Sequence, residues 1–429
     1  MSDKPFAYDS LKILLQYLDP NLRIQLSTRS PSLRATEKLV PLRIDNLSFN
    51  NRKTNINNTT YCIGLLRKFP PGEEILEMED ESPDGAENDY DQFGFIDHHP
   101  ETRITRGDVD LRYWFGDLSE LEESKIEAMQ ELLEQDLEGY ERSLRHLSIT
   151  KKRKREADRQ QEIADVKGKI SRTRKELKRF YCKRDGIPLD YTRLIQFSIF
   201  PHRKEILTYN RTLPEAMRYL HSLLFEGRSC PVEVNTLEIS GPNQILRFPE
   251  NFKLNVKKIK TEMIPFGSFD HIISSYASTY IVIKYNMFTR EENYDQAAIR
   301  NSKSLLIDGL PNFSEFFYTL QSKCVIIPTS TNGHDHSGLV KYWLEHGKPV
   351  GSVYTFGIDK EETAKEHLGK IKANNEELVT SDQEGSLTFL MPAPNSQLRV
   401  YYENYCPIRN IFQEFAVFDW VLVLKVESV

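Results

Sequence analysis

The sequence predicts an α/β protein with three successive parts. These are a short N-terminal helical module, a charged long helix or helical hairpin, and a leucine-rich-repeat-like strand/helix solenoid with a small C-terminal sheet. Three observations support this fold class. Leucines recur at helical spacing near the N-terminus, residues 117–184 contain no proline and carry blocks of opposite charge, and apolar strands recur at a nearly constant interval after residue 187.

Length and composition favour several folded units. The 429 residues exceed one typical hydrophobic core, and 39% hydrophobic residues are enough to build real cores. We expect four segments: a helical module at 1–45, a linker with an acidic loop at 46–116, a charged helix or coiled coil at 117–184, and an α/β repeat-like domain with a C-terminal sheet at 187–429.

Residues 5–45 predict three short amphipathic helices. Leu11, Leu14, Leu15 and Leu18 lie at i, i+3, i+4 and i+7 after Ser10, which suits a helix N-cap. Asp19-Pro20 ends this helix and can begin the next, because proline suits the first helical turn. Helices this short bury little apolar surface alone, so we expect a partner or the rest of the chain to cover part of them.

The next two segments are dominated by charge. Residues 73–91 contain ten Asp or Glu and no Lys or Arg, which predicts a solvated loop. Residues 117–184 have an acidic first half and a basic second half, each with an apolar stripe. The two halves could fold back on each other around Ser148–Thr150, and a single protruding helix or a dimeric coiled coil also fits.

The strand spacing beyond residue 187 is the basis of the solenoid prediction. Apolar strands begin at Leu237, Ile259, Ile281 and Leu305, at intervals of 22, 22 and 24 residues, and Val325 follows 20 residues later. One strand per unit of about 20–29 residues is typical of a leucine-rich-repeat solenoid. Chance spacing of ordinary α/β strands is the alternative. Four further strand-like segments after Gly347 predict the small C-terminal sheet.

No pattern for catalysis or cofactor binding occurs in the sequence. Neither GxxxxGK[ST], GxGxxG, HExxH nor GxSxG is present, so we predict no enzyme activity and no cofactor. His334-Asp335-His336 could ligate zinc only with a further ligand such as His346. We favour a surface loop in which these polar residues cap the following helix, and we predict no metal site.

Basic residues and cysteines bear on location. Lys151, Lys152, Arg153, Lys154 and Arg155 form a candidate nuclear-localisation run, whereas the lack of interleaved aromatic residues disfavours nucleic-acid binding. The five cysteines are odd in number and widely spaced, which is typical of reduced thiols. No signal peptide and no apolar run near the roughly 20 residues of a membrane span is visible, so we expect a cytoplasmic or nuclear protein that is not secreted and has no membrane partner.

The N-terminal stretch LKILLQYLDPNLRIQLSTRSPSLRATEKLVPLRIDNL resembles an F-box. Asp19-Pro20 matches its internal turn, and Asp9-Ser10 stands where the family has Leu-Pro. The resemblance implies binding to a Skp1-type adaptor. The six leucines matching its first two helices are Leu11, Leu14, Leu15, Leu18, Leu22 and Leu26.

Over nearly its whole length the chain is similar to a nematode-expanded family of F-box-like proteins with a C-terminal domain of unknown function. The similarity lies in DQFGFIDHHPETRITRGDVDLR, TLEISGPNQILRFPENFKLNVKK and VKYWLEHGKPVGSVYTFGID. By analogy, it implies a non-enzymatic substrate receptor of a ubiquitin-ligase scaffold whose repeat domain binds a protein target. The alternative is a nuclear or scaffolding coiled-coil protein that uses the basic segment 151–184.

Overall fold

The computed structural model describes residues 8–50, 52–71, 83–98, 103–112, 118–149, 156–201, 203–241, 244–262, 266–276, 279–284, 297–308, 315–331, 333–404 and 419–429. Within these residues the helices are α1 (Tyr8–Tyr17), α2 (Pro20–Arg29), α3 (Pro31–Lys38), α4 (Leu118–Ile149), α5 (Glu156–Asp185), α6 (Leu213–Phe225), α7 (Ala297–Arg300), α8 (Glu315–Thr319), α9 (His336–His346) and α10 (Glu361–Asn374). Two 3₁₀ turns lie at Phe266–Phe269 and Glu376–Leu378.

The strands of the described residues are β1 (Arg43–Asn50), β2 (Lys53–Ile56), β3 (Thr59–Lys68), β4 (Val109–Asp110), β5 (Thr192–Phe200), β6 (Arg203–Thr208), β7 (Val232–Ser240), β8 (Ile245–Leu246), β9 (Leu254–Thr261), β10 (Tyr280–Lys284), β11 (Ser304–Asp308), β12 (Cys324–Ser330), β13 (Val353–Ile358), β14 (Val379–Gln383), β15 (Ser386–Leu390), β16 (Ser396–Glu403) and β17 (Trp420–Ser428). Fifteen of them form one mixed sheet in the order β14-β15-β16-β17-β13-β12-β11-β10-β9-β7-β1-β2-β3-β5-β6, and β4 pairs with β8.

The middle of the sheet is parallel and buried. Leu237, Ile259, Ile281, Leu305 and Val325 are direct partners across β7, β9, β10, β11 and β12, and each is at most 1% exposed. A parallel strand needs apolar side chains because crossover segments cover the sheet. These residues belong to the main core, which also includes side chains of α6, α9 and α10.

The prediction of a leucine-rich-repeat-like solenoid is wrong. The evenly spaced strands are parallel neighbours, but they are the centre of one sheet that continues into antiparallel strands on both sides. The predicted small C-terminal sheet is not separate either, because β17 pairs with β13 along six residues. A parallel strand and its crossover occupy about the same number of residues as a solenoid repeat, so spacing alone does not distinguish the two.

The predicted linker segment contributes to this sheet. β1 extends the parallel region by pairing with β7. The sheet then continues through β2, which is antiparallel to β1, and β3, which is antiparallel to β2. Part of the acidic loop, residues 72–82, lies outside the described residues. After it, the backbone of Ala86 bonds to that of Leu65 in β3, and Asp89 and Tyr90 are buried.

Helices α4 and α5 form an antiparallel hairpin, which is one of the three arrangements that the charge pattern leaves open. Arg159 donates to the carbonyl of Leu147 near the turn, and Arg174 pairs with Glu141 at 2.6 Å farther along. At the base, Leu177, Phe180 and Phe95 form an apolar cluster against partly buried side chains of α4. The acidic helix and the basic helix therefore pair within one chain.

Candidate functional site

The six leucines predicted to bind an adaptor do not share one environment. Leu15 is buried at 1% exposure, whereas Leu11, Leu18 and Leu26 are partly buried. Leu14 and Leu22 remain 42% and 43% exposed. Only the last two are free to contribute a large apolar area to another molecule.

Two residues that the leucine pattern missed extend the exposed face of α1. Ile13 is 57% exposed and Tyr17 is 84% exposed. Together with Leu14 they occupy positions i, i+1 and i+4, which lie on one side of a helix. The signal was present in the sequence as an apolar pair four residues apart, beside the leucine stripe. We call Ile13, Leu14, Tyr17 and Leu22 the N-terminal apolar face.

A helix cap at Asp19 marks the start of α2, the helix that follows α1. The Asp19 carboxylate accepts hydrogen bonds from the backbone N–H groups of Asn21 (2.9 Å) and Leu22 (3.1 Å). Pro20 occupies the first turn of α2, where a missing N–H is harmless. The Asp-Pro pair therefore ends one helix and begins the next, as predicted from the sequence.

A buried charge cluster joins α2 and α3 to the segment that follows α6. Glu37 on α3 lies 3.0 Å from both Arg23 on α2 and Arg228 after α6, and the three side chains are at most 4% exposed. Arg23 also donates to the carbonyls of Pro41 and Val40. Burial lowers the pKa of Arg228, and the Glu37 carboxylate opposes that shift. Both arginines consequently depend on Glu37 for charge compensation.

Polar bonds add to this anchor. The Asn21 side chain donates to the carbonyl of Ile56 at 2.9 Å and accepts from the Tyr61 hydroxyl at 3.0 Å. Ile24 of α2 belongs to the main core. The N-terminal apolar face is therefore carried by a module whose other side is part of the folded body.

The loop His334-Asp335-His336 provides a helix cap and a buried histidine. Asp335 is the N-cap of α9 and accepts a bond from the Gly338 N–H at 3.1 Å, as the capping interpretation predicts. His336 is buried rather than on the surface, with its Nδ1 3.3 Å from Nδ1 of His367. Burial, followed by the nearby His367, lowers the pKa of His336 well below its usual value.

Metal ligation finds no support among the described residues, because no group of three His, Cys, Asp or Glu side chains there has a suitable arrangement. The ring of His346 instead contacts the carbonyl of Tyr342 in its own helix, at 3.1 Å. The predicted nuclear-localisation run from Lys151 to Arg155 lies outside the described residues.

A second polar network, which the sequence did not reveal, joins Asp108 to α6 and to the residue after β8. Its carboxylate accepts from Arg218 at 2.7 Å and from Arg247 at 2.9 Å. Beside it, Gly107 has φ +90°, and a Cβ there would lie 2.6 Å from the Phe248 carbonyl. This Gly-Asp pair serves packing: the glycine allows close approach, and the carboxylate compensates the charges of the buried Arg247 and the partly buried Arg218.

Comparison with known proteins identifies one domain. Residues 212–360 match the family described as a domain of unknown function (DUF3557). The match begins at Thr212, the N-cap of α6, and runs through β13, so the chain carries this domain in its C-terminal half. Neither the curated proteins nor the solved structures contain a significant match. No described helix has both the length and the apolar character needed to cross a membrane.

Proposed function

We propose that this protein is a non-enzymatic interaction protein that acts as an F-box-like substrate receptor. In this proposal the N-terminal apolar face binds a Skp1-type adaptor, and the domain that includes residues 212–360 holds a protein target. The single observation that carries the proposal is the two-sided N-terminal module. One side is anchored by buried charges, while Ile13, Leu14, Tyr17 and Leu22 stay exposed.

The two-sided arrangement is what a docking module requires. Exposed apolar residues scattered singly are ordinary, but several large ones on one short helical module mark an interaction surface. The buried charge cluster of Glu37, Arg23 and Arg228 attaches the module to the segment after α6. A rigid connection reduces the conformational entropy that is lost when an adaptor binds.

The test is binding of a purified Skp1-type adaptor to the full chain, measured by calorimetry. Interface leucines cut to alanine in core-like settings typically cost roughly 2–5 kcal/mol, and 1.4 kcal/mol is a tenfold change in affinity. We therefore expect Leu14→Glu/Leu22→Glu to weaken the complex at least tenfold while circular dichroism shows an unchanged fold. Leu39→Glu is the matched control, because Leu39 is 51% exposed beside α3 but outside the apolar face.

The outcome for the wild-type chain is decisive. Folded wild-type protein that does not retain the adaptor would rule out the receptor function. Equal loss of binding in the Leu39 variant would show that the apolar face is not the site.

The alternative function, a nuclear or scaffolding role for segment 151–184, makes a different prediction. A reporter fused to that segment should accumulate in the nucleus and lose this localisation when Lys151 to Arg155 become alanine. The observation favouring it is the basic helix α5, which extends from the sheet beside α4. Nuclear accumulation without adaptor binding would replace the receptor proposal.

A further inference from the structure

The helical hairpin of α4 and α5 contains a groove, and none of the residues that line it belongs to the N-terminal module. It has a volume of about 1100 Å³ and lies between α4 and α5, extending from Leu144 and Lys167 to Ile187 beyond the end of α5. Its apolar lining comes from Leu137, Leu144 and Ile170, with Ile187 beyond the end of α5. Ile187 is 61% exposed, so part of this apolar surface is open to solvent.

The rim of the groove is basic. Five of its lining residues are Lys or Arg and two are acidic. The acidic two are already engaged, Glu141 with Arg174 and Asp185 with Arg184. Among the described residues, Arg145, Lys167 and Lys175 have no carboxylate within ion-pair distance. The groove therefore has an apolar floor with excess positive charge.

We propose that this groove binds an acidic amphipathic helix of a partner protein. Apolar residues on one side of such a helix fit the floor, and carboxylates at its flanks compensate the unpaired rim cations. Lys167 and Lys178 bound the basic stretch of the rim, which runs eleven residues along α5 or roughly 17 Å of helix, so about three turns of the partner face these cations.

A nucleic acid fits this groove less well. Its phosphates would pair with the rim, but they would leave the apolar floor uncovered, and Tyr181 is the lone aromatic side chain among the lining residues on which a base could stack. An acidic amphipathic protein helix complements both the apolar floor and the basic rim. The proposal concerns a second surface, so it stands or falls independently of adaptor binding.

The experiment measures fluorescence anisotropy of a labelled 14-residue helical peptide with leucines at i, i+3, i+4 and i+7 and glutamates elsewhere. The full chain should bind it, and raising the salt concentration should weaken binding. Arg145→Glu/Lys167→Glu/Lys175→Glu should weaken it at least tenfold, whereas Lys341→Glu/Lys360→Glu/Lys370→Glu, made at exposed lysines elsewhere, should not. Ile187→Ser should weaken binding severalfold without changing any charge.

Five results would overturn the proposal. The first is equally tight binding of a matched peptide that has lysine in place of glutamate. The second is wild-type affinity in the variant Arg145→Glu/Lys167→Glu/Lys175→Glu. Poly-U RNA could bind where the acidic peptide does not. The chain could be a dimer that the groove variant makes monomeric, which would make a second copy the occupant. Binding that appears only after the acids at 73–81 are changed to serine would make the chain's own acidic run the occupant.

Discussion

At the residue scale, buried polar side chains are held in single protonation states by their partners. Nδ1–H of His221 donates to the Arg247 carbonyl at 2.6 Å, so its Nε2 must accept from the Thr54 hydroxyl at 2.7 Å. The Thr331 hydroxyl donates to the Gly357 carbonyl and therefore accepts from Nε2 of His336. A charged His221 imidazole would lose the hydrogen bond that its Nε2 accepts from Thr54 in this buried site.

The first prediction concerns acid stability. Burial lowers the pKa of His221 to about 4, whereas an unfolded histidine titrates near 6.5. Between these values the unfolded chain binds more protons than the folded chain. The free energy of unfolding is therefore highest above about pH 6.5 and falls as the pH drops toward 4. This one group accounts for roughly 3 kcal/mol of that loss. Urea unfolding of wild type at pH 7, 6, 5 and 4 measures it.

The matched variant for this test is His221→Gln, which cannot take up a proton in this range. It should be less stable than wild type at pH 7 because one hydrogen bond is lost, yet it should lose less stability on acidification. His346→Gln, at the surface of α9, should keep the wild-type dependence. An unchanged pH dependence in His221→Gln would mean that His221 is not the group responsible.

At the scale of elements, each helix is defined locally but attached by distant partners. The break between α1 and α2 follows from Asp19 and Pro20 alone. The attachment of α2 and α3 depends on Arg228, which is 191 residues away from its partner Glu37. No periodicity in residues 5–45 carries information about that arginine, so the division of the leucines into buried and exposed sets was not predictable.

The second prediction tests this attachment with Glu37→Gln. The change leaves Arg23 and Arg228 buried without a counter-charge, and breaking a buried pair in this way typically costs about 3–5 kcal/mol. We expect lower stability in urea unfolding and faster proteolysis between α3 and β1. Glu233→Gln is the control, because its pair with Arg43 is exposed at 45% and 68% and is expected to contribute at most about 1 kcal/mol. Similar losses in both variants would contradict the anchor role.

At the scale of the whole molecule, the large sheet extends beyond both ends of the matched domain at residues 212–360. The matched domain at 212–360 contains the parallel strands β7 and β9 to β13, but the two edges of this parallel region are completed from outside. β7 pairs with β1 along seven residues, and β13 pairs with β17 along six. Removing the flanking segments would expose two hydrogen-bonding edges and part of the core.

The third prediction follows from those edges. A fragment of residues 212–360 should be insoluble or aggregate, because unpaired apolar edge strands associate with one another. The full chain is the control, and size-exclusion chromatography with circular dichroism is the measurement. A monomeric fragment with a cooperative thermal transition would show that the domain folds without β1 and β17.

The sequence by itself determined the features that depend on neighbouring residues: the helix break at Asp19-Pro20, the cap at Asp335, and the apolar strands around Leu237, Ile259, Ile281 and Leu305. Helical and strand periodicities are local, so they appear in a linear chain. Only the tertiary structure decided that those strands are the centre of a fifteen-stranded sheet and that Leu15 is buried while Leu14 is exposed. These properties depend on hydrogen-bond partners and packing contacts that come from distant parts of the chain, and no local pattern specifies them.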